Sequence, residues 1–294
     1  MSDLSNCHSI ADLRQLAKRR LPSVMYDYIQ GGSEDELTLN WNREAFSKYQ
    51  FVPRVLRDVS SIDLSTRIQG IDLKLPIIVA PTGMSRMFHH TGEAAAAIAA
   101  HEHGSAYTLS TVATTSIEDI AQVSEGPKFF QIYAWHDKKI VDDLIDRCRK
   151  MEYDGLMLAV DLASLGKRER DLKNGHGRPG VLRRNTALSA LSKPRWLYNF
   201  LTHPKWKMAN MLEHLPHGAD ALKTIETVNE QFSASVDWKV AKELKKRWGG
   251  KFMLKGIQCV DDALLAAEMG ASGIILSNHG GRQLDGAPSM LDIL

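Results

Sequence analysis

The chain of 294 residues is 44% apolar, with 37 Lys and Arg against 35 Asp and Glu for a net charge of +2. That supports a sizeable core in one large domain or two modest ones, and so balanced a charge argues against nucleic acid as a partner of the whole chain. Three widely spaced cysteines (Cys7, Cys148, Cys259) make neither a disulfide framework nor a zinc pattern, which points to reduced thiols in a cytoplasmic protein. No apolar run reaches the roughly 18 residues of a membrane span. Residues 1–30, interrupted by Asp3, Asp12 and Asp27, lack the apolar core of a signal peptide.

In chain order, residues 1–70 read as an N-terminal helical segment. Ser9 caps a helix through Ile10, Leu13, Leu16 and Ala17; Leu21-Pro22 opens a second through Val24, Tyr28 and Ile29; Gly31-Gly32 ends it. From residue 75 the pattern changes to short apolar runs at 75–80, 106–109, 129–133, 155–160, 252–254 and 273–276. Helical candidates at 92–103, 116–123, 138–151, 238–248 and 260–269 alternate with them. Continuous rather than alternating apolar strands, each followed by a helix, predict a parallel sheet covered on both faces.

Each run delivers a polar group at its C-terminal end: Pro81-Thr82, Ser110, Gln131 with Tyr133, Asp161, Lys255, and Ser277 with His279. In a (β/α)8 TIM barrel all those ends converge on one mouth, whereas a doubly wound sheet would use mainly its switch-point loops. The barrel is therefore the expected fold, with six of eight βα units in 1–294. Two more units, about 60 to 70 residues, are expected after Leu294, so the domain reads as incomplete at its C-terminus.

Residues 174–235 interrupt the pattern as a long loop inserted after the fourth strand. Within 176–213, Arg178, Arg183, Arg184, Lys193, Arg195, Lys205 and Lys207 face one acid, Glu213, with Trp196, Tyr198, Phe200 and Trp206 interleaved. Cations with amphipathic aromatics suit an anionic lipid surface; a solvated loop with a few anchoring rings is the plainer alternative. Nucleic acid is the weakest, because no motif accompanies the charge.

The run from Ser277 to Asp285 sets an imidazole, His279, and a guanidinium, Arg282, three residues apart at a strand end. A base beside a carboxylate clamp can take a proton from a 2-hydroxy acid. Taken with Tyr26-Asp27-Tyr28 before Gly31-Gly32, Ala80-Pro81-Thr82-Gly83-Met84, Leu109-Ser110-Thr111, Phe130-Gln131-Ile132-Tyr133, Gly166-Lys167-Arg168-Glu169-Arg170-Asp171 and Lys255-Gly256, it resembles the FMN-dependent L-2-hydroxy-acid dehydrogenases and oxidases. That family includes L-lactate dehydrogenases, mandelate dehydrogenases and glycolate oxidases, and the likeness runs from about Leu13 to Leu294.

The resemblance implies a role for each position. His279 would be the base, for the Cα or the hydroxyl proton, paired with Asp161. Arg282 and Arg168 would hold the substrate carboxylate in bidentate geometry, Tyr133 would bond the hydroxyl, and Tyr28 would close the site. Lys255 would face flavin N1 and O2, while Pro81, Thr82, Gly83, Ser110, Gln131 and Ser277 would line FMN. Ala159 stands where the family often has a threonine. Gly83 stands where oxidases tend to have alanine, which leans toward a dehydrogenase. The family's phosphate-binding Asp-Gly-Gly-x-Arg and later Gly-Arg belong to the last two strands.

The expected activity is oxidation of an L-2-hydroxy acid, L-lactate first, to the 2-keto acid. Electrons would pass to a quinone or cytochrome, with residues 176–213 touching the inner face of the membrane and the complete chain forming a homo-oligomer. A glycolate- or mandelate-type enzyme is one alternative; a non-catalytic barrel fragment unable to hold flavin is another.

Overall fold

In the computed structural model residues 4–176, 179–214 and 221–294 are described; Arg178 of the basic segment lies outside them. Helix α1 (Ile10–Arg20) starts at Ser9, whose hydroxyl accepts from the Asp12 N–H at 3.2 Å. It ends on Lys18, Arg19 and Arg20, which complement the helix dipole. Helices α2 (Ser23–Gln30) and α3 (Leu37–Glu44) follow, then a 3-10 turn (Ala45–Lys48).

Helix does not continue to residue 70. Residues 49–65 carry no regular element, with Phe51 and Leu56 both 101% exposed. An antiparallel hairpin, β1 (Thr66–Ile68) and β2 (Ile71–Leu73), ends the segment. Its two-residue turn, Gln69-Gly70, has φ of 54° and 74°, the double left-handed geometry that matches strand twist. Pro53 and the short polar runs after it deny a helix its 3.6-residue period.

The main body alternates strand and helix. In order come β3 (Ile78–Val79), α4 (Gly92–Glu102), β4 (Ala106–Ser110), α5 (Ile117–Val123), β5 (Lys128–Ile132), α6 (Lys138–Lys150) and β6 (Gly155–Ala159). Then follow α7 (Glu169–Lys173), α8 (Pro179–Leu191), α9 (Pro194–Thr202), α10 (Ala221–Gln231), α11 (Trp238–Trp248), β7 (Lys251–Ile257), α12 (Val260–Glu268), β8 (Gly273–Leu276) and α13 (Met290–Ile293). Strands β3 to β8 pair in sequence order, every pair parallel. This is the expected TIM-type architecture, with β3 and β8 at the two edges of the described sheet.

Each strand divides its side chains between two cores. Leu109, Phe130, Ile132, Leu156, Leu158, Phe252 and Leu254, all fully buried, face the helices. The alternate residues Ala106, Phe129, Met157 and Met253 meet Leu73 of the hairpin on the inner face. The hairpin thus plugs the inner face, and Gln69 Nε2 ties it to the Ser272 carbonyl just before β8 at 2.6 Å. Truncating one of these leucines, as in Leu156→Ala, costs about 2–5 kcal/mol.

The basic stretch is not irregular. It holds α8, α9, a 3-10 turn (Ala209–His214) and α10. Pro194 opens α9 at the first turn, where no backbone N–H is needed. Met208, Met211 and Val228 are buried in the outer core, and Phe232 packs edge-on to Tyr133 at 5.0 Å. The scattered cations and rings mask that apolar face in the sequence.

Candidate active site

Strand alternation sends the expected polar residues to one place. Phe129, Met157, Met253 and Ile275 lie on the inner face; two residues on along each strand come Gln131, Ala159, Lys255 and Ser277, on that same face. Tyr133, Asp161 and His279 continue the series past the strand ends, and Thr108 and Ser110 follow Ala106.

Asp161 is the hub. Its side chain is 1% exposed, its Oδ1 lies 3.0 Å from His279 Nδ1, and its Oδ2 lies 3.4 Å from Ser277 Oγ and 3.9 Å from Lys255 Nζ. Burial works against ionisation, but the hydrogen bond and charge of His279 and the Lys255 ammonium together hold this carboxyl below its ordinary value. An ionised carboxylate only accepts, so the neutral ring carries its proton on Nδ1 and leaves Nε2 basic. Lys255 Nζ donates to Ser277 Oγ at 3.0 Å; burial pulls its pKa down and Asp161 partly restores it.

Two glycines allow this packing. Gly256, at φ +119° where β7 shifts register against β8, approaches so closely that an added Cβ would sit 2.7 Å from Asp161 Cβ. Gly281, at φ +71°, lies against α3, where an added Cβ would sit 2.5 Å from Leu39 N.

The second cluster is cationic. Arg282 and Arg168 place their guanidinium carbons 5.0 and 5.4 Å from the centre of the Tyr28 ring. Arg282 Nη1 donates to the Tyr28 and Gly31 carbonyls at 2.6 and 2.7 Å, the C-terminal end of α2. Arg168 Nε is 3.4 Å from Asp171, a side chain 7% exposed. Burial and then Arg168 push the Arg282 pKa down; a bound carboxylate would relieve that strain between two like charges. Tyr133, 8% exposed, is held protonated chiefly by burial and then by Asp161 and Tyr28, against the pull of Arg168 and Arg282.

His279, Asp161, Lys255 and Ser277 therefore form one cluster, and Arg282, Arg168, Tyr28 and Tyr133 a second that shares its field. Ser110 Oγ donates to Gln131 Oε1 at 3.1 Å in a third, buried pair. Gly83 packs on Val112, where a Cβ would meet Cγ2 at 2.5 Å. Thr82 is exposed, and among the described residues neither it nor Pro81 joins a side-chain hydrogen bond with these groups.

Four supporting residues have no expected site role. Glu36 Oε1 accepts from Gly32 N at 3.0 Å and its other oxygen pairs with Arg170. Asn278 exchanges 2.9 Å bonds with Asn42 and accepts from Gly281 N at 3.1 Å. Asp171 anchors Arg168, and Asp285 caps α3. Glu36, Asp171, Asn278 and Asp285 all lie inside or beside the quoted motifs, which was the available signal; their partners lie up to 250 residues away in sequence.

A parallel barrel sheet with a carboxylate-held imidazole, two arginines and a lysine at one end sets a potential base beside cationic groups that suit an anion. The sequence profile of the FMN-dependent dehydrogenases matches residues 17–294. A putative L-lactate dehydrogenase of Mycobacterium tuberculosis is 39% identical over 97% of this chain and 68% of its own length. Glycolate oxidase 1 of Zea mays is 36% identical over 100% of this chain and 73% of its own. The crystal structure of a monotopic membrane protein, (S)-mandelate dehydrogenase, superposes with a TM-score of 0.92 at 34% identity, covering 98% of this chain and 77% of that one. The chain belongs to the FMN-dependent 2-hydroxy-acid dehydrogenase and oxidase family.

The inner face fits that cofactor. Gln131 Nε2 and Thr108 Oγ1 are buried with no hydrogen-bond partner among the described residues. With the Lys255 ammonium they offer donors to a flavin ring edge, which is rich in carbonyl and ring-nitrogen acceptors.

Proposed function

We propose that the chain oxidises an L-2-hydroxy acid, L-lactate first among candidates, to the 2-keto acid. The observation that carries this reading is the Asp161–His279 pair at 3.0 Å beside two arginines on the Tyr28 ring. FMN, when bound, accepts the two electrons. Arg282 and Arg168 bind the carboxylate; Arg282 is aimed by backbone carbonyls, which leaves its remaining donors for the substrate. Tyr133, kept protonated, donates to the substrate hydroxyl or the forming carbonyl.

His279 Nε2 takes the proton, from Cα in a carbanion route or from the hydroxyl in a hydride route, and Asp161 stabilises the imidazolium that results. Lys255, Ser110, Gln131 and Ser277 would hold the flavin ring. The putative L-lactate dehydrogenase relative supports lactate. Gly83 favours electron delivery to a quinone or cytochrome over oxygen.

Peripheral contact with the inner face of the membrane belongs to the same proposal. No helix among the described residues is long and apolar enough to cross a membrane. On α8 and α9, Leu188, Leu191, Tyr198 and Leu201 are 62%, 70%, 66% and 71% exposed among the basic residues, a surface suited to an anionic interface.

Anaerobic addition of L-lactate, L-mandelate or glycolate to the flavin-loaded protein tests the chemistry. L-lactate should bleach the visible flavin spectrum fastest and D-lactate should leave it unchanged. If none of the three L-series or glycolate substrates bleaches it, the reading fails. Pelleting with liposomes tests the membrane contact: equal partition to anionic and neutral vesicles, unaffected by salt, would sink it.

A further inference from the structure

A cavity of about 430 Å³ lies between α1, the 86–90 segment and α9, with Phe88, which stacks on the Tyr28 ring at 6.1 Å, in its wall. Arg20, Arg86 and Arg195 line it together with His89, His90 and His203, and among the described residues no Asp or Glu does. The three imidazoles stack in a row, with centroids 4.5 Å apart for His89 and His90 and 4.0 Å for His90 and His203. Arg86 Nε is buried with no hydrogen-bond partner among the described residues. His89 is held below its ordinary pKa by burial, then by His90, Arg20 and Arg195, so the positive field reaches across the cavity.

The rest of the wall is apolar. Trp196 and Phe200 stack at 4.8 Å, with the Trp196 indole N–H fixed on the Met87 carbonyl at 3.0 Å. At the rim Leu13 and Phe200 are 41% and 39% exposed, and α9 continues outward into exposed Tyr198 and Leu201.

We propose that this cavity takes the anionic headgroup of a phospholipid, with its acyl chains leaving over Leu13 and Phe200. The proposal rests on the peripheral-membrane reading and makes that contact selective for a headgroup rather than merely electrostatic. Charge decides the occupant: a neutral ring would leave the buried Arg86 Nε unanswered, and a free oxyanion would leave the aromatic wall wet. An anion with an apolar tail answers both walls. Capturing the anion raises the proton affinity of His89, because it opposes the Arg20 and Arg195 charges that help to lower it.

The test uses monomeric lipid, which separates the cavity from the surface. The purified chain is titrated calorimetrically with dihexanoyl-phosphatidylglycerol below its micelle concentration, with dihexanoyl-phosphatidylcholine, with inorganic phosphate and with a short-tailed benzoquinone. Phosphatidylglycerol should bind at least about tenfold more tightly than the other three. Arg20→Gln and Arg195→Gln should each weaken it about five- to tenfold. Ala17→Phe, which fills the lining without changing charge, should abolish binding, and a circular dichroism spectrum checks that each variant is folded.

Lys205→Gln with Lys207→Gln, a charge change outside the lining, should leave monomer binding within about twofold. Equal affinity for the two lipids, equal or tighter binding of phosphate or quinone, or an equal loss in the lysine variant would each overturn the proposal. Salt-sensitive pelleting with anionic vesicles would persist in that event if only the cavity assignment is wrong, and would vanish if the membrane reading itself is wrong.

Discussion

Replacing Asp161 by asparagine isolates the charge behind the imidazole. The side chains match in size, and the amide oxygen can still accept from His279 Nδ1, so geometry is largely preserved while the negative charge is lost. In the wild type that carboxylate lies 3.0 Å from Nδ1, with a side chain 1% exposed. For charges about 4 Å apart at an effective dielectric near 20, the attraction is about 4 kcal/mol. It acts only once His279 has accepted the proton, so the loss falls on the transition state and corresponds to roughly a thousandfold in rate. Substrate affinity should hardly move, about threefold at most, because the Arg282–Arg168 pair on Tyr28 is separate from this contact. Stopped-flow bleaching of the flavin-loaded variant, followed against L-lactate concentration, separates the two quantities. A limiting rate within tenfold of wild type at equal flavin content, or a loss appearing only in the concentration dependence, would refute the assignment.

Arg282→Lys keeps the charge but loses the planar fork aimed by the Tyr28 and Gly31 carbonyls. KM for the hydroxy acid should rise about 10- to 100-fold, read by steady-state kinetics. Gly256→Ala places a methyl group within 2.7 Å of Asp161 Cβ at φ +119°; urea unfolding should show a loss of about 2–5 kcal/mol. Acid stability follows from the lowered pKa of Asp161. Its contribution is complete above the unfolded value of about 3.9 and is lost as pH falls through the lower folded value. Wild type should therefore lose more stability than Asp161→Asn on going from about pH 5 to pH 2, and urea titrations at both pH values check it.

What could be read from the chain was whatever repeats locally. The six parallel strands announced themselves because each is an unbroken apolar run ending in a polar residue, and α6 and α11 among their helices carry a clear 3.6-residue period. Ser9 and Ser116 mark helix starts by their own side chains. The same local logic failed at 49–65, where apolar residues follow no period, and at α8 to α10, where arginines and tryptophans sit among the residues that pack inward. Site residues on the inner face were found because strand alternation carries them there. Their spacing from one another was not, since the distance from Asp161 to His279 depends on the register of β6, β7 and β8 together.

The longest-range dependence is between the motif at 277–285 and the N-terminal helices. Asp285 accepts from the backbone N–H groups of Asp35, Leu37 and Thr38 at 3.1, 3.3 and 2.9 Å, capping α3 from the far end of the chain. Burial opposes its ionisation, but those backbone donors keep its pKa low. Asn278 holds Asn42 on α3, and Gly281 O accepts from Ser33 N at 2.8 Å. Arg282 is pinned by carbonyls of α2. The loop that supplies the base therefore also fixes the segment that supplies Tyr28, and each orders the other. Asp285→Ala should cost about 1–2 kcal/mol for the lost cap. It should also raise KM for the hydroxy acid, because Tyr28 and Arg282 lose a shared brace although neither is altered. The double variant with Tyr28→Phe supplies the decisive comparison in KM. A coupling energy beyond about 0.5 kcal/mol identifies the brace, whereas strict additivity would show that Asp285 serves the fold alone.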